Sequence, residues 1–247
     1  MMMRPPPTRF FPIAAILLFV ALAGPIVAML VSVAPSDVLR AFAAPAAQEA
    51  LRTSLVASLA ATALATLLGV PAGHWLANAP GRFAAPMLFL LALPLAFPPV
   101  ASGILLLSAL AGSPVPDTIA GVAIAEFFVS GSFVAIAASA AFRALDPIYA
   151  EAARTLGVSE WRIFWQVELP AAGSSVAAGI VFTWLRAIGE YGATSIVAYH
   201  PTSLPVALYV ALSASGVREA LALTYGFVLL AALILGAAWI LRPRVVV

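Results

Sequence analysis

Arg186 and Glu190 stand four residues apart inside an apolar run spanning 174 to 198. At this spacing on a helix, guanidinium and carboxylate share one face, and a charge near the bilayer centre costs about 2.5–3.5 kcal/mol to insert. The pair therefore faces protein or water. It can brace its helix as a mutual ion pair, or its Arg can line a cavity and attract a dianion. Glu190 cancels much of that attraction, so bracing is the expectation and the pathway role its alternative.

The remaining reactive residue types exclude more chemistry than they suggest. Glu126 lies in another apolar run, close enough to the outer end for its carboxylate to snorkel or be capped. Ser102-Gly103 is preceded by Val100, where the Gly-x-Ser-Gly loop of an intramembrane serine protease needs glycine. The chain has no cysteine, and His74 and His200 fall in different loops on opposite sides of the membrane, which argues against a transition-metal centre. All twelve basic residues are Arg. Without Lys there is no Walker A lysine to hold ATP phosphates and no Schiff base, so any ATP is hydrolysed on another polypeptide.

Polar residues concentrate between 151 and 170. Asp146 before Pro147 is an N-cap with proline at the first helical position, predicting a short helix over 147–156 that stops near Gly157. Ser159 can cap a second short helix carrying Trp161, Phe164 and Trp165, after which Leu169-Pro170 redirects the chain. Two such helices suit a knob that enters a partner's groove. They equally suit an amphipathic loop lying on lipid, with Arg154 and Arg162 towards headgroups.

The elements that must position these residues are membrane spans. The chain is 64% hydrophobic and 9% charged, with a mean hydropathy of +1.09. Apolar stretches of about the 20 residues a bilayer requires occupy 10–33, 54–77, 84–110, 119–142, 174–198 and 220–241. A β-barrel would alternate polar and apolar residues instead. The expectation is an all-α integral membrane protein with six transmembrane helices and a cytoplasmic two-short-helix loop, about 143–173, between the fourth and fifth. Residues 1–247 then form one transmembrane domain with no room for a sizeable soluble one.

The first run follows Arg4 and Arg9 but is longer than a signal-peptide core, so it is read as a retained span. With the N-terminus inside, Arg4, Arg9, Arg82, Arg143, Arg154, Arg162, Arg242 and Arg244 lie inside, against Arg40, Arg52 and Arg218 outside. That asymmetry places both termini in the cytoplasm. No Arg cluster is dense enough to track a nucleic acid. Gly69 and Gly73 flank Pro71, which suggests close helix approach and a kink. Pro94, Pro98 and Pro99 remove backbone donors from the third span, which must bend or unwind.

Glu151-Ala152-Ala153, Gly157, Val167 and Leu169-Pro170 resemble the EAA loop of ABC importer permeases, with Val where the family often has Ile. The resemblance implies that Glu151, Ala152, Ala153, Gly157, Leu169 and Pro170 form the element that docks on the ATPase subunit. It extends from about Ser54 to Thr194 and includes Leu93-Pro94 and Pro98-Pro99 of the third span. Arg186-Ala187-Ile188-Gly189-Glu190-Tyr191-Gly192-Ala193-Thr194 resembles a segment of the molybdate, tungstate and sulfate permeases. Gly131-Ser132-Phe133-Val134-Ala135 departs from the pattern, since it lacks the expected Pro and Arg.

The resemblance implies a multi-pass subunit of a bacterial inner-membrane importer, itself performing no bond chemistry and binding no cofactor. ATP and Mg belong to the ATPase partner, an external solute-binding protein delivers the solute, and a second permease copy completes a homodimer. A tetrahedral oxyanion is the implied solute; thiamine, ferric iron or a polyamine is the alternative, and a secondary carrier or channel a third reading.

Overall fold

The computed structural model describes residues 10–241, so Arg4, Arg9, Arg242 and Arg244 lie outside the described residues. Among the described residues the chain is helical, with no strand. The elements are α1 (Phe10–Ser32), α2 (Pro35–Ala43), α3 (Pro45–Asn78), α4 (Gly81–Ala96), α5 (Pro99–Ala109), α6 (Ile119–Ser130), α7 (Ser132–Arg143), α8 (Ile148–Thr155), α9 (Glu160–Ile163), a π-turn (Phe164–Glu168), α10 (Leu169–Ile188), α11 (Thr194–Val197), α12 (Leu204–Ser215) and α13 (Val217–Leu241).

Among the described residues, five helical stretches are long and apolar enough to cross a membrane: α1, α3, α6 with α7, α9 through α10, and α13. The third sequence span is the pair α4 and α5, bent by 106° at Phe97-Pro98. Pro98 and Pro99 supply no N–H to continue α4. Counted as one span, the pair makes six.

At the centre lies α3, against which α6, α7, α10 and α12 pack. It runs parallel to α6 and α7 in a constant register: Ala57 clusters with Val122, Gly69 faces Val134 and Gly73 faces Ala138. A Cβ on Gly73 would lie 2.6 Å from that of Ala138, and one on Gly69 would lie 3.1 Å from Val134 Cβ. The two glycines thus let the helices touch through their backbones, and α3 passes Pro71 without a break. At the periphery, Met29 of α1 and Val33 just beyond it are buried against Ala222 of α13, while α1 exposes Ile13, Ile16, Leu17 and Phe19, as a lipid-facing helix does.

Several expectations are corrected. The fifth span ends at Ile188 and not at 198, because Gly189 leaves the helix and a loop with the short α11 follows. Leu169-Pro170 does not redirect the chain, since helix is continuous from Glu160 to Ile188. Pro170 cannot donate to Gln166 and its ring would crowd that carbonyl. The backbone widens instead, and Leu169 N–H bonds to Phe164 O, five residues back.

The second short helix is therefore a single turn leading into a span, and the Ser159 side chain does not cap it. His74 sits within α3, not in a loop. Glu126 does not snorkel: it is fully buried in α6, level with Ala61 in the α3 register. Helices α2, of 9 residues, and α12, an apolar helix of 12, are too short to be spans and carry no pattern that the sequence reading used.

Candidate functional site

The polar segment lies beyond the C-terminal ends of α3 and α7. Asp146 Oδ1 accepts from Ile148 N–H at 3.0 Å, so the side chain starts α8 as its N-cap. Gly157 ends the turn at φ +75°, where Gly157 N–H reaches Arg154 O and Val158 N–H reaches Ala153 O. That pairing is a Schellman closure, which favours glycine. Arg154 then clamps Glu160 across the turn, Nε to Oε1 at 2.7 Å and Nη2 to Oε2 at 3.0 Å.

Helix α8 contributes Ala150 to the core and little else. Glu151 and Ala152 are exposed, Ala153 is half-buried and Gly157 is exposed. Ile148, Tyr149 and Leu156 are also exposed, Leu156 by 83%. Apolar side chains at the tip of a polar segment mark an interaction surface more than a solvated one. Leu169 and Pro170 lie elsewhere: they open α10, and Leu169 packs on the cluster around Phe142, Phe164, Ala172 and Val176. Structurally they anchor the segment, while α8 presents it.

Sequence reading missed the joint between this segment and the spans. His74 Nε2 lies 2.7 Å from Glu168 Oε2, and the imidazole meets the rings of Phe142 and Phe164 edge-on at 5.0 and 4.9 Å. Arg143 Nη2 donates to Leu76 O at 2.9 Å, tying the end of α7 to the same turn of α3. The partners are 94 residues apart in the first case, so no local pattern announces them.

The intramembrane pair forms, with Arg186 Nη1 2.5 Å from Glu190 Oε2. Glu190 Oε1 also accepts Ala193 N–H at 2.9 Å, which folds the loop back under the helix end. Glu190 is 1% exposed and Arg186 34%. Arg186 lines a largely apolar cavity of about 450 Å³ together with Phe133, Ala137, Gly179, Phe182 and Leu185. The stripe of α10 leading there exposes Ala171, Ser174, Ser175, Ala178 and Phe182, a smaller and more polar surface than that of α1. Deeper in the bundle, Glu126, Ser102 and Thr194 are buried with side-chain oxygens that have no hydrogen-bond partner. No group of three or more His, Cys, Asp or Glu suited to a metal occurs among the described residues.

A helical bundle of apolar, membrane-length helices with a bent span, closed at one end by the exposed α8, is the architecture of a multi-pass membrane protein. The chain belongs to the family of binding-protein-dependent transport system inner membrane components, whose model matches residues 65–245. The molybdate/tungstate transport system permease protein WtpB of Thermococcus kodakarensis is 38% identical over 196 residues, covering 78% of this chain and 77% of that one. The molybdenum transport system permease protein ModB of Mycobacterium tuberculosis is 34% identical, covering 75% and 74%. The sulfate transport system permease protein CysW of Synechocystis is 35% identical, covering 61% and 59%.

Against four archaeal relatives the aligned stretch spans from 65% to 77% of their own lengths. In fold, the chain is similar to a bacterial ABC transporter involved in import of the acidic polysaccharide alginate. The TM-score is 0.67 at 16% identity, covering 96% of this chain and 95% of that one. The permease reading drawn from Glu151 to Pro170 thus stands.

Proposed function

We propose that this chain is the membrane-spanning subunit of an ATP-driven importer of a tetrahedral oxyanion, molybdate or tungstate first and sulfate next. The observation that carries the ATP-driven part is α8, a glycine-closed helix that projects from the bundle and offers Glu151 with exposed Ile148, Tyr149 and Leu156. Glu151, Ala152, Ala153 and Gly157 form the surface that enters the ATPase, and Leu169 and Pro170 fix its base. ATP and Mg are bound by that partner. Closure of two ATPase subunits moves the α8 helices together and reorients the spans between inward and outward states.

The oxyanion assignment is supported by the names of the relatives and by the chemistry of Arg186. Its guanidinium is held by Glu190, its side chain stays partly exposed, and the residue lines the largely apolar cavity beside α10. A second copy facing that stripe completes a pathway with two such arginines, and selectivity resides mainly in the external solute-binding protein. Both termini are cytoplasmic in this arrangement, in a bacterial inner membrane.

Labelled molybdate uptake into vesicles holding the chain, its ATPase and its binding protein tests the solute. Uptake should require ATP and fall with excess tungstate. If molybdate, tungstate and sulfate are all ignored while thiamine or ferric iron enters, the oxyanion assignment is wrong.

A further inference from the structure

Helix α8 makes few contacts with the bundle. It packs on α9 and the π-turn, and Ala150 is its one buried residue. A displacement of α8 leaves it at two ends, through residues 144–147 into α7 and through the Glu160–Glu168 stretch. From there one route is covalent, straight into α10. The second route is through space: Glu168, the last residue of the π-turn, is bonded to His74 of α3 at 2.7 Å.

The surroundings make that second contact stiff. Phe142 and Phe164 pack on the imidazole in T-shaped contacts at 5.0 and 4.9 Å. Gly73, next to His74, sets α3 directly against Ala138, and Arg143 fastens the same turn through Leu76 O. The pair is shielded, with side chains 29% and 16% exposed, so solvent weakens it less than it would a surface pair. His74 lies near the inner end of α3, whose outer end lines a cavity of about 1020 Å³ between α2, α12 and α13. A helix of 34 residues spans roughly 50 Å. A push at His74 reaches the opposite face of the molecule.

We infer that His74 and Glu168 are a positioning pair that transmits movement of the docking helix to α3, and through it to the outer cleft. The inference rests on α8 being the ATPase-docking element. It assigns the pair a role separate from docking itself, since neither side chain lies on α8.

The absence of cysteine allows a direct test. Spin labels at Glu49→Cys on α3 and Ser215→Cys on α12, which both line the outer cleft, report its width, in nanodiscs with the copurified ATPase, with and without ATP plus vanadate. Nucleotide should shift the interlabel distance in the otherwise wild-type chain. Glu168→Ala and His74→Ala should each retain the ATPase yet lose more than half of that shift, whereas His74→Gln, which keeps an N–H donor for Glu168, should preserve it.

A role confined to stability would lower the melting temperature and leave the shift intact, and that result overturns the inference. So does a wild-type cleft that never moves, or loss of the ATPase from both alanine variants. Failure of the docking assignment would look different, because the wild-type chain would then not retain the ATPase at all.

Discussion

Arg186 and Glu190 are bonded at 2.5 Å although only Arg186 belongs to a regular helix. The carboxylate reaches back from the first residues of the following loop and simultaneously takes up Ala193 N–H. The pair therefore secures the end of α10 to the loop that carries α11, and it leaves the Arg186 side chain partly exposed. Bracing and lining a pathway are compatible in this geometry.

Removing Arg186 alone strands a carboxylate that is almost fully buried, whereas removing both charges does not. Arg186→Ala should thus destabilise the chain more than Arg186→Ala with Glu190→Ala, by up to about 3 kcal/mol given the partial exposure of Arg186. A double-mutant cycle on thermal unfolding in detergent measures the difference. If single and double variants melt together while both lose transport, the pathway role outweighs the brace.

The α3–α7 seam gives a steric expectation. Gly73→Val places atoms onto Ala138 Cβ and Ala135 O, 2.6 and 2.8 Å from the new Cβ. Overpacking of this kind costs about 1–3 kcal/mol. Gly24→Ala, with nothing within 4 Å, should leave the melting temperature nearly unchanged. Equal effects from the two substitutions would mean that α3 and α7 are not in backbone contact.

At Gly157 the constraint is conformational and not steric. A Cβ there meets nothing within 4 Å, but φ is +75°. Gly157→Asn should be tolerated, since Asn adopts this region, while Gly157→Val should loosen the α8 closure at a cost of about 1–2 kcal/mol. Protease sensitivity of the 156–160 stretch in the purified protein would rank them. Comparable nicking of both variants would show that the turn does not depend on the left-handed residue.

Glu126 has neither oxygen hydrogen-bonded and no exposed surface. A carboxyl so placed adds nothing to stability, and an apolar group of similar length can replace it at little loss or with a gain. Glu126→Met should therefore match or exceed the wild-type melting temperature. A large drop would reveal a hidden partner for the carboxyl.

What the sequence made legible follows from the range of the interactions involved. Asp146-Pro147 and Gly157 delimit α8 through bonds spanning two to five residues, so local rules find them. Pro98-Pro99 likewise announces the bend after α4. Pro170 was misread because a proline that stops a helix and one absorbed by a π-turn look alike until the packing around Phe164 is known. Glu190 was misplaced because an apolar run does not reveal where Gly189 lets the helix go. The His74–Glu168 joint depends on three elements meeting, and periodicity carries no trace of that.

The most direct test of the account asks what touches α8. Leu156→Cys puts a single reactive thiol at the exposed tip, in a chain without other cysteines. A short photoactivatable maleimide attached there, in native membranes, should crosslink to the ATPase polypeptide. Adding Glu151→Lys should abolish that product while the chain remains inserted. Crosslinks to lipid alone, unaffected by Glu151→Lys, would contradict the account and make the segment a membrane-surface loop.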